Sequence, residues 1–220
     1  MNRRFMTALS AIAFAVAALA TPAAGQLGAR PADDWIKMLD SPARVAGLKV
    51  DEVIARLGLK PGEVVADLGA GTGVFAVPLA RAVGPSGKVY AVEVEQGLVD
   101  HIAAKAAKEG TRNVHAVLGR FADPALPSSD VDVAFIHDVL HHVEDRRAFL
   151  RNAARYMKPT GRFAIVELDA ETGPHRNDPK LQITRDELRG WMAEIGYAEA
   201  EEVTNLFDDG KWFVIYARTR

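Results

Sequence analysis

Imidazole takes up a proton near neutrality, and four residues of imidazole or matching acidic chemistry crowd into His137-Asp138-Val139-Leu140-His141-His142. His141 or His137 could serve as a general base or orient an acceptor; the competing reading gives these histidines loop hydrogen bonds and the capping of a following helix. His137 to His141 also has the spacing of a two-histidine metal helix, with Asp138 in the place of Glu. That pattern straddles a strand end and the shorter acid alters the base geometry, so no metal site is expected. A second constellation lies upstream, where Asp67 stands two residues before Gly69-Ala70-Gly71-Thr72-Gly73 and Glu93 stands 22 residues after Gly71. Three glycines in five residues let a backbone turn tightly against a ligand.

The elements that must position these groups follow from hydrophobic periodicity. Val64 to Leu68 is a short apolar run suited to a strand buried on both faces, and the pattern from Val74 to Val83 is helical. The unit strand, glycine loop, helix aims N–H groups and the positive end of a helix at the loop's ligand. Pro78 is tolerated if the helix begins near Phe75, because an early N–H has no intrahelical partner. Lys88 to Glu93, Val114 to Leu118, Val131 to Ile136 and Arg162 to Leu168 read as further strands. Helices are expected over Asp51 to Leu57, Leu98 to Ala107 and Arg147 to Met157, the last ended by Pro159. Thr184 and Glu187 form a capping box, with Ile183 and Leu188 as its staple, starting a helix from Arg185 to Ile195. Val203 to Phe207, a tight turn at Asp208-Asp209-Gly210, and Trp212 to Ala217 predict a terminal antiparallel hairpin. The alternation predicts an α/β chain with a mostly parallel sheet, helices on both faces and ligands at the carboxyl ends of the strands.

At 220 residues and 49% hydrophobic, the chain suits one α/β domain. It holds no cysteine, which excludes a disulfide framework and thiolate chemistry. Residues 1–25 differ in kind: Arg3-Arg4, an acid-free apolar run from Phe5 to Ala20, then small residues to Gly25. This is the pattern of a signal peptide cleaved near Gly25, and it predicts an exported, periplasmic protein. The alternative is a domain anchored by an uncleaved signal, and paired arginines also permit a twin-arginine signal. Residues 26–44 read as an N-terminal arm or helix and 45–220 as the ligand-binding domain. After cleavage no stable membrane span is expected, and 25 basic side chains face 29 acidic ones, a net charge of about −4. Without a basic face, no nucleic-acid partner is expected. Nothing in the sequence sets an oligomeric state.

The loop's ligand is narrowed in two places. A dinucleotide site requires a glycine at the sixth motif position, where Val74 stands. Asp67 adds a carboxylate that would repel a pyrophosphate and attract a ligand with a cationic amino group and a sulfonium. Glu93 suits both hydroxyls of a ribose, a role common to both ligand classes.

On these residues the chain resembles the class I S-adenosylmethionine-dependent methyltransferases. Asp67-Leu68-Gly69-Ala70-Gly71-Thr72-Gly73 matches the family's first motif, Glu93 its ribose-binding acid, Asp130 to Val143 the segment ending the fourth strand, and Met157 to Arg162 the turn into the fifth. The resemblance implies a three-layer Rossmann-like fold with a seven-stranded sheet, and S-adenosylmethionine as cofactor. It implies cofactor contacts at Asp67, Gly69, Ala70, Gly71, Thr72, Gly73, Glu93 and Asp138, with His137 and His141 as catalytic candidates. The acceptor is expected to be a small or lipid-like molecule. Where many relatives carry an acid after the third strand, Gly119 is followed by Arg120-Phe121-Ala122, so Phe121 is the candidate for stacking on adenine and Asp123 the nearest acid. An oxidoreductase with a nicotinamide cofactor, or a non-catalytic domain binding S-adenosylmethionine, are the alternatives. Trp35 reads as an N-terminal anchor or a lid, Trp191 and Trp212 as core, and His101, His115 and His175 as surface or loop residues.

Overall fold

The computed structural model describes residues 30–208 and 210–219, so the expected signal segment lies outside the described residues. Helices α1 (Ala32–Leu39), α2 (Pro42–Gly47) and α3 (Val50–Leu57) precede the first strand. Then β1 (Val64–Leu68), α4 (Ala76–Val83), β2 (Lys88–Glu93), α5 (Gln96–Lys108), β3 (Val114–Leu118) and β4 (Val131–His137) alternate. A 3-10 turn at Leu140–His142 leads into α6 (Arg146–Ala154), β5 (Met157–Leu168), α7 (Arg185–Glu194), β6 (Tyr197–Val203) and β7 (Lys211–Arg218). The seven strands lie in the order β3-β2-β1-β4-β5-β7-β6. β1 to β5 are parallel, and β7 runs antiparallel between β5 and β6.

The order reverses between β1 and β4, which opens a crevice at their carboxyl ends where α/β sheets bind ligands. Strand parity decides what faces it. Ala66, Leu68, Ile136 and Ile165 pack with α6 and α7 on one face, whereas Val65, Phe135 and Val166 pack with α3 and α4 on the other. Asp67 and Glu93 therefore leave the sheet on the α3–α4 face, and Glu167 on the α6–α7 face.

The glycine-loop unit and the parallel strands stand where periodicity predicts them. Pro78 occupies the third position of α4, where its missing N–H costs no intrahelical bond. The capping box of α7 is present, with Ile183 and Leu188 both buried beside it. Two segments differ. α6 stops at Ala154, and Met157, expected in the helix, pairs with Val131 at the start of β5. Apolar helical spacing there also satisfies a strand, and Pro159 is tolerated near a strand's beginning. The hairpin's first strand is Tyr197–Val203, not Val203 to Phe207. It is an edge strand, buried only at its two ends, so its acidic middle carried no apolar alternation to read. The expected tight turn is instead the connection 204–210, which folds back on the domain where Lys49 Nζ donates to Leu206 O.

Candidate active site

Gly69, Gly71 and Gly73 all have positive φ, at 85, 57 and 69°. At Gly69 a side chain is excluded twice over, since a Cβ would also lie 2.5 Å from Val139 Cγ2 on the connection after β4. The loop is held by the next strand: Gly69 and Ala70 donate to Val92 O at 2.9 and 2.8 Å. Glu93 accepts the Gly71 N–H through Oε2 at 2.9 Å and the Val94 N–H through Oε1 at 2.7 Å, so both oxygens are fixed in the cavity wall. Burial raises the Glu93 pKa, and the backbone N–H groups oppose that rise.

Asp67 is 3% exposed, and its Oδ2 has no hydrogen-bond partner among the described residues. Burial, reinforced by the charge of Glu93, pushes its carboxyl up to about 7. A buried carboxylate lacking a cation is costly, which marks the position as one completed by a ligand. A small space of about 30 Å³ lies there, bounded by Arg44, Asp67, Gly69 to Thr72 and His137. Arg44, which sequence reasoning passed over, donates to Leu39 O at 3.0 Å; burial lowers its pKa while Asp138 and Asp40 favour its charge.

The main cavity, about 720 Å³, opens above these strand ends. Helix α1 roofs it with Trp35, Met38 and Leu39. Thr72 Oγ1 donates to Asp40 at the C-cap of α1, and His101 Nε2 lies 3.7 Å from the same carboxylate. Trp35 thus lies over the cavity, and the Arg30 guanidinium packs 4.9 Å from its ring centre. Phe121, 43% exposed, stands on the rim beyond Glu93. Asp123 faces elsewhere, accepting from Ala125 N and Tyr156 Oη at 2.8 Å each.

The cluster His137 to His142 divides. His137 stays on the α3–α4 face among Phe75, Phe135 and Phe207, its Nδ1 3.3 Å from Asp138 and its buried Nε2 without a partner among the described residues. Asp138, at φ 55°, also receives Lys211 Nζ at 3.0 Å. Burial would raise the Asp138 pKa, but His137 and Lys211 hold it well below the carboxylate range. His141 belongs to the other face, where its Nδ1 lies 2.7 and 3.0 Å from the two oxygens of Glu167, a fully buried residue at the end of β5. His142 and His175 stack beside His141 at ring separations of 4.0 and 5.1 Å. His175, expected on a surface or loop without partners, is a loop residue that lines the cavity. Glu167 and His175 were missed because their partners come from β4 and its connection, a pairing without sequence spacing. Trp191 and Trp212 pack in or against the core as expected.

The arrangement offers two carboxylates and a glycine loop on one side of the cavity and a histidine–carboxylate pair on the other. A family profile described as methyltransferase domain matches residues 59–211. The chain is 34% identical over 94 residues to nocamycin O-methyltransferase of Saccharothrix syringae, covering 43% of this chain and 34% of that protein. It is 28% identical over 103 residues to demethylmenaquinone methyltransferase of Lactococcus lactis, covering 47% and 41%. The matched stretches thus span less than half of either curated relative. Among solved structures, a SAM dependent methyltransferase from Aquifex aeolicus superposes with a TM-score of 0.74 at 26% identity, covering 86% of this chain and 100% of that one.

Proposed function

That the chain belongs to the class I S-adenosylmethionine-dependent methyltransferases is the premise from which we propose its function: transfer of the methyl group of S-adenosylmethionine to a small-molecule or lipid-like acceptor. The observation that carries this reading is Asp67, a buried carboxylate with one oxygen unpartnered among the described residues and a pKa of about 7 at the glycine loop. A pyrophosphate would worsen that charge; a cationic amino group and sulfonium would neutralise it. The residues present fit the cofactor. Asp67 and the loop would hold its amino end, Arg44 its carboxylate, Glu93 its ribose and Phe121 its base.

When bound, the cofactor supplies an electrophilic methyl on a charged sulfur. The chain's part is positional. α1 lies over part of the cavity, while the glycine loop and Glu93 fix the ligand's orientation. Support for a small or lipid-like acceptor comes from the apolar roof at Trp35 and Met38, and from relatives whose names specify nocamycin and demethylmenaquinone. Export of the domain, with cleavage near Gly25, is part of the proposal and rests on residues 1–25 alone. Fractionation with N-terminal sequencing tests it; a cytoplasmic protein retaining Met1 would refute it.

Calorimetry with S-adenosylmethionine, its demethylated product and NAD tests the ligand. Both sulfur ligands are expected to bind; binding of NAD alone would overturn the reading. Comparing methylated metabolites with and without the protein identifies the acceptor and separates an enzyme from a binding domain.

A further inference from the structure

The sheet separates two histidines that the sequence sets four residues apart. His137 shares a face with Asp67 and Glu93, whereas His141 lies across the cavity, paired with Glu167. Glu167 is completely buried, accepts the Leu168 N–H at 3.2 Å and lies 2.7 Å from His141 Nδ1. A carboxylate accepts from an imidazole Nδ1–H, and in that tautomer the ring's lone pair is on Nε2. His141 Nε2 has no hydrogen-bond partner among the described residues, and the ring lines the main cavity. Val143, Phe149, Leu168 and Pro174 line the same cavity and give it apolar surface.

Resting on the reading above, we propose that His141, oriented by Glu167, is the general base that deprotonates a phenolic or enolic hydroxyl of the acceptor, which is methylated on that oxygen. The O–H bond breaks and its proton passes to His141 Nε2. The oxygen's electron pair forms the bond to the methyl carbon as the carbon–sulfur bond breaks, its pair returning to sulfur. The imidazolium so formed is stabilised by Glu167, whose burial makes that attraction strong. The other groups around His141 are compatible with this role. His142, from the same turn, is lowered to about 4, chiefly by burial, so it stays neutral near pH 7. His175 and Arg176 face the cavity from the connection after β5, Asp138 from the end of β4, and Arg146 from α6 bonds the His141 carbonyl at 3.2 Å. Glu167 is a positioning residue, acting through His141.

The test uses the full chain with the demethylated cofactor and 4-nitrophenol, whose ionised form has a distinct absorption band, below the probe's solution pKa. Wild type is expected to bind the probe as phenolate. His141→Gln and Glu167→Gln should each lower the ionised fraction of bound probe at least tenfold, while calorimetric affinity for the demethylated cofactor stays within twofold. ¹⁵N spectra of labelled histidine should show His141 protonated on Nδ1 in wild type; if Glu167→Gln fails to fold, this spectrum with His141→Gln decides the matter. A neutral bound probe, a band that persists in His141→Gln, or a His141 protonated on Nε2 would overturn the proposal with cofactor binding intact. Loss of cofactor binding in wild type would overturn it together with the reading beneath it.

Discussion

Asp67 and Glu93 end neighbouring parallel strands on the same face of the sheet, and the charge of Glu93 adds to burial in pushing the Asp67 carboxyl up to about 7. A cationic ligand at Asp67 favours the ionised form, so binding must lower that pKa and release a proton when the pH is at or below 7. Affinity for S-adenosylmethionine is expected to fall by up to about tenfold per pH unit below 7. Calorimetry in buffers of different ionisation heat should register the released proton. In Asp67→Asn the release should vanish and affinity should be low and flat with pH.

The same residue sets a stability cost in the ligand-free protein. Its folded pKa is raised from 3.8 to about 7, so the fold is penalised as pH rises through that window, and fully above it. Asp67→Asn removes the penalty. Thermal unfolding without ligand should show the variant more stable at pH 8, by on the order of 4 kcal/mol for a shift of this size, with the gain disappearing near pH 4.

Gly69→Ala meets two obstacles, a φ of 85° and Val139 Cγ2 at 2.5 Å from the new Cβ. Loss of cofactor binding and destabilisation of about 1 to 3 kcal/mol are expected. Adding Val139→Ala should recover part of the stability, because it relieves the clash and leaves the dihedral strain; full recovery would show that φ is unimportant here.

Helix α1 is tied to the glycine loop by Thr72 donating to Asp40. Thr72→Val removes the donor without changing the loop's backbone, and a hydrogen bond to a charged group is worth about 1.5 to 3 kcal/mol. Amide exchange over residues 32–40 should accelerate at least tenfold. Cofactor affinity should weaken in step; unchanged exchange would show that the remaining contacts of α1 suffice to dock it.

The sequence exposes the glycine-loop side of the cavity and conceals the His141 side, for a physical reason. Asp67, the glycines and Glu93 lie on one strand–loop–helix unit and the strand after it, so their chemistry is written at short spacing. Burial of β1, β2 and β4 is likewise legible as apolar runs. Glu167 and His175 reach His141 only because β4 and β5 pair in register and the connection after β5 folds back. Parity also parts His137 from His141, and reading it requires knowing which helices cover which face. Edge strand β6 fails the apolar test because almost nothing covers it.

Arg146 joins two segments beside the cavity: it donates to the carbonyls of Leu140 and His141 in the turn after β4, and to those of Lys180 and Gln182 before α7. These are main-chain acceptors, so the bonds do not depend on which side chains the connection carries. Arg146 thus moors the connection after β5 beside His141 from its far end, while at the near end the Asp169 carboxylate gathers the N–H groups of Glu171 and Thr172.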